Sequence, residues 1–338
     1  MAETNKQVLL AARPVGLPKE TDFNIVETPL PEPEEGQFLV RIIYLSVDPY
    51  MAGRMRARKS YAPSLEIGDV MIGGAVGEVV DSRHPDYGVG EFVEGMFGWR
   101  EFALSDGSEM VRKVDPELAP LSTSLYALGM PGMTAYFGLL EIAKLKPGES
   151  VVVSGAAGAV GALAGQIAKN MGCRVVGVAG SGAKVDYVTG ELGYDAAFNY
   201  KTTDDYTAKL AELCPGGIDV YFDNVGGAIT DAVIANINVG ARVAICGQIS
   251  QYNLTRPAKG PRWLMQLIVK QARVEGFLVY QFLDRYAEGM TKMAEWLRDG
   301  KIRYREQIAE GIDNAPRAFI GLFTGENLGK QLVRISGQ

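Results

Sequence analysis

The chain has 338 residues, of which 47% are hydrophobic and 22% charged, a composition typical of a globular protein that is long enough for two domains. Its formal net charge of −6 argues against a nucleic-acid partner held through phosphate contacts. There is no apolar run of about 18 residues and no signal-peptide pattern, and the cysteines are few and widely spaced, so we expect a cytoplasmic protein without a membrane partner.

The N-terminal third of the chain is rich in β-forming residues, and no periodic run in it is long enough for a helix. Clusters of Pro, Gly, Asp and Ser separate its apolar segments, as turns separate strands. The pattern therefore predicts a compact, mostly antiparallel β domain. The predicted strands are 38–46, 70–80, 91–97 and 101–104.

A strand–turn–helix–strand unit occupies residues 151–179, after a helix predicted to run on to Ile142. Residues 151–153 are valines followed by a glycine cluster, which is typical of a buried parallel strand that enters a tight turn. Apolar residues then recur at helical spacing up to Met171, and Gly172 ends the helix. Such a unit predicts a nucleotide site, with the pyrophosphate at the free N–H groups of the helix N-terminus.

The glycine motif of this unit is imperfect. The motif has glycine at three positions, and here the first position holds Ala156, whereas Gly158 and Gly161 occupy the other two. Gly155 is the alternative residue for the tight turn. A glycine-rich connection that binds nothing is the alternative interpretation of the motif taken alone. The strand that follows favours nucleotide binding.

The residues after that second strand favour NADP(H) over NAD. An NAD site places Asp or Glu about 20 residues beyond the glycine motif, where the carboxylate accepts from the ribose 2′-hydroxyl. Residues 179–182 contain no carboxylate, whereas Ser181 offers a hydroxyl and Lys184 a cation. This chemistry suits a 2′-phosphate, so the sequence predicts NADP(H) as the cofactor.

Strands and helices alternate along the remaining centre of the chain, as in a doubly wound parallel sheet that binds ligands at the carboxyl ends of its strands. The predicted strands are 196–200, 219–223, 241–245 and 274–279, with helices at 204–213 and 229–237. A helix at 315–323 and a final strand within 325–335 return to the first domain. The predicted fold class is α/β, with a Rossmann domain at 128–299 and a discontinuous, β-rich catalytic and substrate domain at 1–127 and 300–338.

Residue counts disfavour a zinc enzyme. A catalytic zinc site needs Cys, His and Glu ligands, and a structural site needs four closely spaced cysteines. The chain has a single histidine, His84 in a predicted surface turn, and three cysteines that lie far apart in sequence. We therefore expect no metal.

Several segments occur in the order and at the spacing of the medium-chain dehydrogenase/reductase superfamily, and they span almost the whole chain. The segments are 46–51 with 53–55, 128–136, 156–161, 165–169, 223–227, 246–253 and 325–330. The chain resembles the zinc-free, NADPH-dependent 2-alkenal/prostaglandin reductase branch, which includes the curcumin/dihydrocurcumin reductases. The resemblance implies a GroES-like β domain, a Rossmann domain and a homodimer. Ala52 stands where the family usually has Arg, so any ligand contact that this arginine makes in the family is not expected to carry over to this chain.

The resemblance also implies roles for the residues that match the family. The implied pyrophosphate residues are Gly158, Ala159, Val160 and Gly161, and those at the adenosine and its 2′-phosphate are Ser181, Lys184 and Tyr200. The implied cofactor residues at the strand ends are Asn224, Cys246, Gly247, Gln248, Ile249, Ser250 and Tyr252. Phe277, Leu278 and Val279 are implied beside the nicotinamide, and Asn327 in the terminal segment.

The available side chains favour conjugate reduction over direct carbonyl reduction. When hydride reaches the β-carbon of an enone or enal, charge develops on the carbonyl oxygen, which needs a hydrogen-bond donor. Tyr252 is the candidate donor, because a phenol with a pKa of about 10 is neutral at neutral pH. The alternative is a tyrosine that packs against the cofactor ribose. Cys246 lacks a histidine to activate it, so a thiol that lines the cofactor is the better interpretation.

Tyr50 and Tyr61 are the candidate substrate-binding residues, because aromatic rings in the β domain can stack on a conjugated substrate; buried core tyrosines are the alternative. The predicted function is NADPH-dependent reduction of the C=C bond of α,β-unsaturated ketones and aldehydes, such as curcumin-like enones and 2-alkenals. Two alternatives stay open. One is a quinone reductase of the same superfamily, and the other is an NADPH-binding protein without catalytic activity.

Overall fold

Two compact units divide the chain: a first unit of Met1–Leu125 with Glu306–Gln338, and a second unit of Tyr126–Arg305. The structure, a computed structural model, describes residues 4–108 and 110–337. Its strands are β1 (Thr4–Leu10), β2 (Phe23–Pro29), β3 (Phe38–Ser46), β4 (Ala75–Ser82), β5 (Phe92–Gly95), β6 (Phe102–Ser105), β7 (Arg112–Val114), β8 (Ser150–Ser154), β9 (Arg174–Ala179), β10 (Ala196–Asn199), β11 (Ile218–Asp223), β12 (Ile237–Ile245), β13 (Arg273–Gly276), β14 (Glu306–Glu310) and β15 (Lys330–Arg334).

The helices are of mixed length. The α-helices are α1 (Met51–Arg54), α2 (Met130–Phe137), α3 (Ala159–Asn170), α4 (Gly182–Gly190), α5 (Tyr206–Leu213), α6 (Gly227–Ala235), α7 (Ile249–Tyr252), α8 (Leu264–Lys270), α9 (Tyr286–Arg298) and α10 (Ala315–Thr324). Turns of 3-10 helix lie at Glu20–Asp22, Leu121–Leu125, Val279–Arg285 and Ile312–Asn314. In the part of the chain that the structure describes, no helix has both the length and the apolarity needed to cross a membrane.

The first unit contains a sheet in the order β14-β15-β3-β4-β5-β7, with β6 also paired to β3, and a separate β1–β2 pair. The parallel pair is β14 with β15, and the other pairs run antiparallel. Its core holds the rings of Phe23, Trp99 and Phe319, with 5.7 Å between the centroids of Phe23 and Trp99. The predicted mostly antiparallel β domain is confirmed.

The second unit contains a six-stranded, wholly parallel sheet in the order β10-β9-β8-β11-β12-β13. Counted from β8, this is the Rossmann order 3-2-1-4-5-6, so the predicted doubly wound sheet is confirmed. The valines at 151–153 are fully buried, as expected for a central strand covered on both faces. The strand order reverses between β8 and β11, and this switch point is where such sheets bind ligands.

Some predicted element boundaries are wrong. β4 begins at Ala75, because Val70 makes only an isolated bridge with Leu9. The sixth strand of the parallel sheet ends at Gly276, and the chain enters a 3-10 turn at Val279. The helix predicted to reach Ile142 also ends earlier, since α2 gives way to a π turn at Gly138–Ile142. The sequence did not predict β2 and β14, whose side chains are mostly exposed or only partly buried and carry a weak hydrophobic pattern.

Candidate functional site

The glycine turn between β8 and α3, here called the glycine cradle, has a backbone geometry that suits a phosphate group. Gly155 has a φ of +61°, which an L side chain rarely adopts. A Cβ on Gly161 would lie 2.9 Å from Ala156 Cα and closer still to Gly155 O, so only glycine lets the helix pack on the turn. Gly158 is the N-cap residue, and the N–H groups of the first helical turn have no intrahelical acceptor. Backbone donors and a positive helix end suit a pyrophosphate.

Asn224 follows β11 and lies directly across the switch point from this turn. Its backbone N–H donates to Ser154 Oγ at 3.0 Å, and its side-chain Nδ2 donates to Ser154 O at 2.7 Å. A Cβ on Gly155 would lie 3.4 Å from Asn224 Cβ. The structure thus brings the glycine turn and Asn224 together at the carboxyl edge of the sheet, where the sequence places the cofactor.

A buried carboxylate, Asp223, organises this edge of the sheet, although sequence reasoning gave it no role. The side chain is fully buried, and both of its oxygens are occupied as acceptors. An unpaired buried charge is costly, so this carboxylate must keep its hydrogen-bond donors. The loops that supply those donors are therefore held in one arrangement. Its donors are Ser154 Oγ, Tyr221 OH, Val225 N and Gly226 N at Oδ1, and Thr230 Oγ1 and Gln248 Nε2 at Oδ2.

The loop after β12 is pinned to the same edge by its backbone. The N–H groups of Cys246 and Gly247 donate to Asp223 O at 2.9 and 3.0 Å. Ser250 N and Ser250 Oγ both donate to Val225 O, at 3.1 and 2.6 Å. The segment from Cys246 to Ser250, with Gln248 and Ile249 between them, therefore lies against the turn that follows β11.

Tyr252 ends the short helix α7, and its hydroxyl folds back over this loop. Its oxygen accepts from the backbone N–H of Gln248 at 3.2 Å, and a Cβ on Gly247 would lie 3.1 Å from it. The bond from Gln248 uses a lone pair of the phenol oxygen. The geometry places the phenol hydroxyl beside Gly247 and the carbonyl oxygen of Asn224, at the carboxyl edge of the sheet.

The thiol of Cys246 is protonated at neutral pH. Burial raises the pKa of Cys246 to about 12, and the negative charge of Asp223 acts in the same direction. A thiol nucleophile needs a lowered pKa, from a cation or a helix N-terminus nearby. Cys246 therefore lacks the chemistry of a nucleophile.

The residues predicted for the 2′-phosphate cluster beyond β9 and β10. Ser181 is the N-cap of α4, where its Oγ accepts from Lys184 N at 3.3 Å. A Cβ on Gly180 would lie 3.1 Å from the ring of Tyr200, which follows β10. Burial and the charge of Lys201 lower the pKa of Lys184. A phosphate dianion would relieve this repulsion between two lysines, so the cluster fits a 2′-phosphate.

The segment Phe277-Leu278-Val279 differs in exposure from residue to residue. Phe277 and Val279 are 8% and 6% exposed, whereas Leu278 is 38% exposed. The Phe277 ring packs edge-on against Phe222 with 6.3 Å between centroids. Leu278 is thus the side chain of the three that the second unit presents to solvent.

The remaining predicted residues, Tyr50, Tyr61 and Asn327, belong to the first unit. Tyr50 precedes α1 and packs partly buried against the core, whereas Tyr61 is 53% exposed. Asn327 Nδ2 donates to Gly329 O at 2.9 Å, just before β15. Ala52 is fully buried in α1, so its side chain offers nothing to a ligand.

No cluster of three or more His, Cys, Asp or Glu side chains that could hold a metal ion occurs within residues 4–108 and 110–337. A surface cavity of about 820 Å³ lies between α5 and α6. Its wall carries the carboxylates of Asp204, Asp205 and Asp231, and this charge disfavours a phosphate. The cavity is therefore a poor candidate for the nucleotide.

Residues 6–114 match the family described as the N-terminal domain of oxidoreductase, and residues 159–296 match the family described as zinc-binding dehydrogenase. The chain is 45% identical to NADPH-dependent curcumin reductase of Escherichia coli (strain K12), over 99% of this chain and 98% of that protein. It is 44% identical to the NADP(+)-dependent 2-alkenal reductase of Nicotiana tabacum, over 99% of each. The crystal structure of CurA in complex with NADPH from Vibrio vulnificus superposes with a TM-score of 0.94 and 43% identity, over 98% of this chain and 100% of that one.

Proposed function

Because the chain belongs to the medium-chain dehydrogenase/reductase superfamily, in its 2-alkenal/prostaglandin reductase branch, we propose that it is an NADPH-dependent reductase of the C=C bond of α,β-unsaturated ketones and aldehydes. The observation that carries the proposal is the position of Tyr252, whose hydroxyl lies over Gly247 and Gln248 at the edge of the sheet that holds the glycine turn. Curcumin-like enones and 2-alkenals are the proposed substrate class.

NADP(H) fits the second unit, and we assign its contacts to the residues that the family resemblance implied in the sequence analysis. Gly158, Ala159, Val160 and Gly161 hold the pyrophosphate, and Ser181, Lys184 and Tyr200 hold the adenosine and its 2′-phosphate. The glycine cradle and the pair of lysines support these assignments. Asn224 and the loop 246–252 line the cofactor at the switch point, and the exposed Leu278 lies in the segment assigned to the nicotinamide. When bound, NADPH supplies the hydride.

The chain contributes a donor for the charge that develops on the substrate. Tyr252 donates a hydrogen bond to the carbonyl oxygen of the enone, where negative charge accumulates as the β-carbon receives hydride. The bond from Gln248 N fixes the phenol before the substrate arrives, so little reorganisation accompanies the reaction. Protonation of the enolate by the same phenol, or by solvent, then gives the saturated carbonyl compound.

The first unit supplies the substrate contacts, and the sequence proposes its boundaries as 1–127 and 300–338. The second unit, proposed as 128–299, binds the cofactor. Tyr50 and Tyr61 stack on the conjugated substrate, and Asn327 donates to the cofactor. The exposed ring of Tyr61 supports such a contact, because a ring exposed to solvent gains area by stacking. We place the protein in the cytoplasm, and its three unpaired thiols agree with a reducing compartment.

We further propose that the protein is a homodimer formed through the second unit. β13 is the last strand of the parallel sheet, so among the described residues no strand pairs with one of its edges. The preceding helix α8 has no buried residue, and its Leu264, Met265 and Ile268 are 68%, 68% and 72% exposed. A second copy of the chain would cover this apolar surface.

The reaction is tested by following NADPH oxidation with curcumin, a 2-alkenal, a long-chain enone and a quinone, and by identifying the products. We expect saturated ketones and aldehydes, with the carbonyl group intact. Tyr252→Phe should lower kcat by about 100-fold, the usual contribution of a positioned proton donor, while NADPH still binds. Tyr44→Phe, a tyrosine on β3 outside the proposed site, is the matched control and should keep full activity.

Two outcomes would overturn the proposal. Turnover of the quinone alone would assign the protein to the quinone reductases. NADPH binding without turnover of any compound would make it a binding protein. Full activity of Tyr252→Phe would remove the phenol from the mechanism and leave it a role in packing against the cofactor.

A further inference from the structure

A buried ion pair lies in the first unit, and each of its residues is close in sequence to one of the proposed site residues. Lys330 Nζ lies 2.6 Å from Asp48 Oδ1, with 1% of the Lys330 side chain and 10% of the Asp48 side chain exposed. Lys330 Nζ also donates to Val47 O at 3.2 Å, and Ser46 Oγ donates to Asp48 Oδ2. Both carboxylate oxygens and the ammonium group are therefore engaged inside the protein.

The pair joins two segments that are far apart in sequence. Asp48 begins the turn that carries Tyr50, and its backbone oxygen accepts from Met51 N at 3.2 Å as α1 starts. Lys330 begins β15 and directly follows Gly329, whose carbonyl oxygen accepts from Asn327 Nδ2 at 2.9 Å. The ion pair thus ties the segment of Tyr50 to the segment of Asn327.

The stability of the fold does not explain a charge pair at this place. Met51, Leu332 and Val333, which are close to the pair in sequence, are fully buried and apolar, and the partly buried carboxylate of Glu306, the register partner of Lys330 on β14, also interacts with its charge. Buried ion pairs generally stabilise a fold no better than apolar residues of similar volume, because desolvation offsets their attraction. What a salt bridge adds is a directional bond between fixed atoms.

We propose that Lys330 and Asp48 are positioning residues, which hold the turn of the substrate-binding Tyr50 and the segment of the cofactor-binding Asn327 in one fixed relation. The inference rests on the proposed function, since it requires the roles given to Tyr50 and Asn327. Neither charged group touches the reacting atoms. Loss of the pair displaces both segments together, so substrate and cofactor binding weaken in the same variant.

The test compares Lys330→Met, Asp48→Asn and the double variant in the full-length protein. NADPH dissociation constants come from fluorescence titration, KM from turnover of a 2-alkenal, and stability from thermal unfolding. We expect each single variant to unfold at a lower temperature, because it leaves a buried charge or donor without its partner. The single variants should also raise both the NADPH Kd and the alkenal KM about tenfold, since the bond that joins the two segments is gone.

The double variant separates positioning from stability. It removes both charges of the pair, so its unfolding temperature should lie above those of the single variants, while Kd and KM stay raised because the two segments are still not joined. Recovery of Kd and KM together with stability would overturn the proposal and leave the pair a purely structural role. Unchanged Kd and KM in the single variants would overturn it as well.

Arg242→Met is the matched control, because Arg242 Nη2 and Glu149 Oε2 form a pair 2.6 Å apart with 16% of each side chain exposed, in the second unit. It should lower the unfolding temperature without raising Kd or KM. An equal rise in Kd and KM with this variant would overturn the proposal, since loss of an ion pair elsewhere in the protein would then have the same effect. A wild-type protein that neither binds NADPH nor reduces an alkenal would instead count against the proposed function.

Discussion

Two buried tyrosines of the second unit differ in what their hydroxyl groups contact. Tyr194 OH donates to Gly161 O at 2.7 Å and so supports the first turn of α3. For Tyr187 OH, the described residues provide no hydrogen-bond partner. Burial raises the pKa of both phenols, that of Tyr187 to about 12, and Arg305 lies 5.7 Å from the centre of the Tyr187 ring. The two hydroxyl groups should therefore affect stability in opposite directions.

We expect Tyr187→Phe to raise the free energy of unfolding by up to about 1 kcal/mol, because it removes a buried polar group that lacks a partner. Tyr194→Phe should lower it by about 1–3 kcal/mol, because Gly161 O then loses its donor. Urea unfolding at neutral pH measures both. Equal destabilisation by the two changes would show that Tyr187 OH does have a partner.

The pH dependence of Tyr187 follows from the direction of its shift. Its folded pKa of about 12 lies above the ordinary value of 10.0, so ionisation of this phenol favours the unfolded chain: the free energy of unfolding of the wild type is at its full value below pH 10.0 and falls as the pH rises through about 12. The advantage of Tyr187→Phe over the wild type should therefore grow above pH 10.0. The same urea titrations, repeated at alkaline pH, measure this difference.

At the scale of single elements, α3 depends on glycines that the sequence places at fixed positions. A Cβ on Gly161 meets the backbone of Gly155 and Ala156, which cannot move aside as a flexible side chain can. Gly190, at the end of α4, has open space where its Cβ would be, and its φ is not positive. These two helical glycines make a matched pair for substitution.

Gly161→Ala should weaken NADPH binding at least tenfold and destabilise the protein by about 3 kcal/mol, because the helix must shift away from the phosphate cradle. Gly190→Ala should stabilise it by up to about 1 kcal/mol, because alanine reduces the conformational entropy of the unfolded chain. NADPH titration and thermal unfolding give both values. Normal NADPH affinity in Gly161→Ala would contradict the assignment of this turn to the pyrophosphate.

At the scale of the whole molecule, the proposed homodimer depends on the apolar surface of α8. A double change, Met265→Glu with Ile268→Glu, should convert the protein to a monomer of 36.5 kDa, because burying two carboxylates in an interface is costly. Sedimentation equilibrium measures the mass. Leu118→Glu, at a residue of the first unit that is 82% exposed, is the control and should leave the dimer intact. A wild-type protein that sediments at 36.5 kDa would contradict the dimer.

The sequence by itself determined the features that local spacing encodes. The valines of β8, the glycines after them and the helical spacing up to Met171 predicted the Rossmann unit, because periodicity and backbone freedom are properties of neighbouring residues. The missing carboxylate near Ser181 and the presence of Lys184 predicted NADP(H). Strands with weak hydrophobic patterns were not predicted. β14 is an example, because it becomes a strand by pairing with β15 and not through a pattern in its own residues.

Only the tertiary structure decided which distant residues meet. Asp223 receives donors from β8, from α6 and from the loop after β12, and no spacing in the sequence shows that these lie around one carboxylate. Lys330 and Asp48 form their pair across 282 positions of the chain. Such contacts depend on the order of the strands and on how the elements pack in three dimensions. Hydrophobic patterning does not determine this, because it shows whether a side chain is buried but not which residues it is buried against.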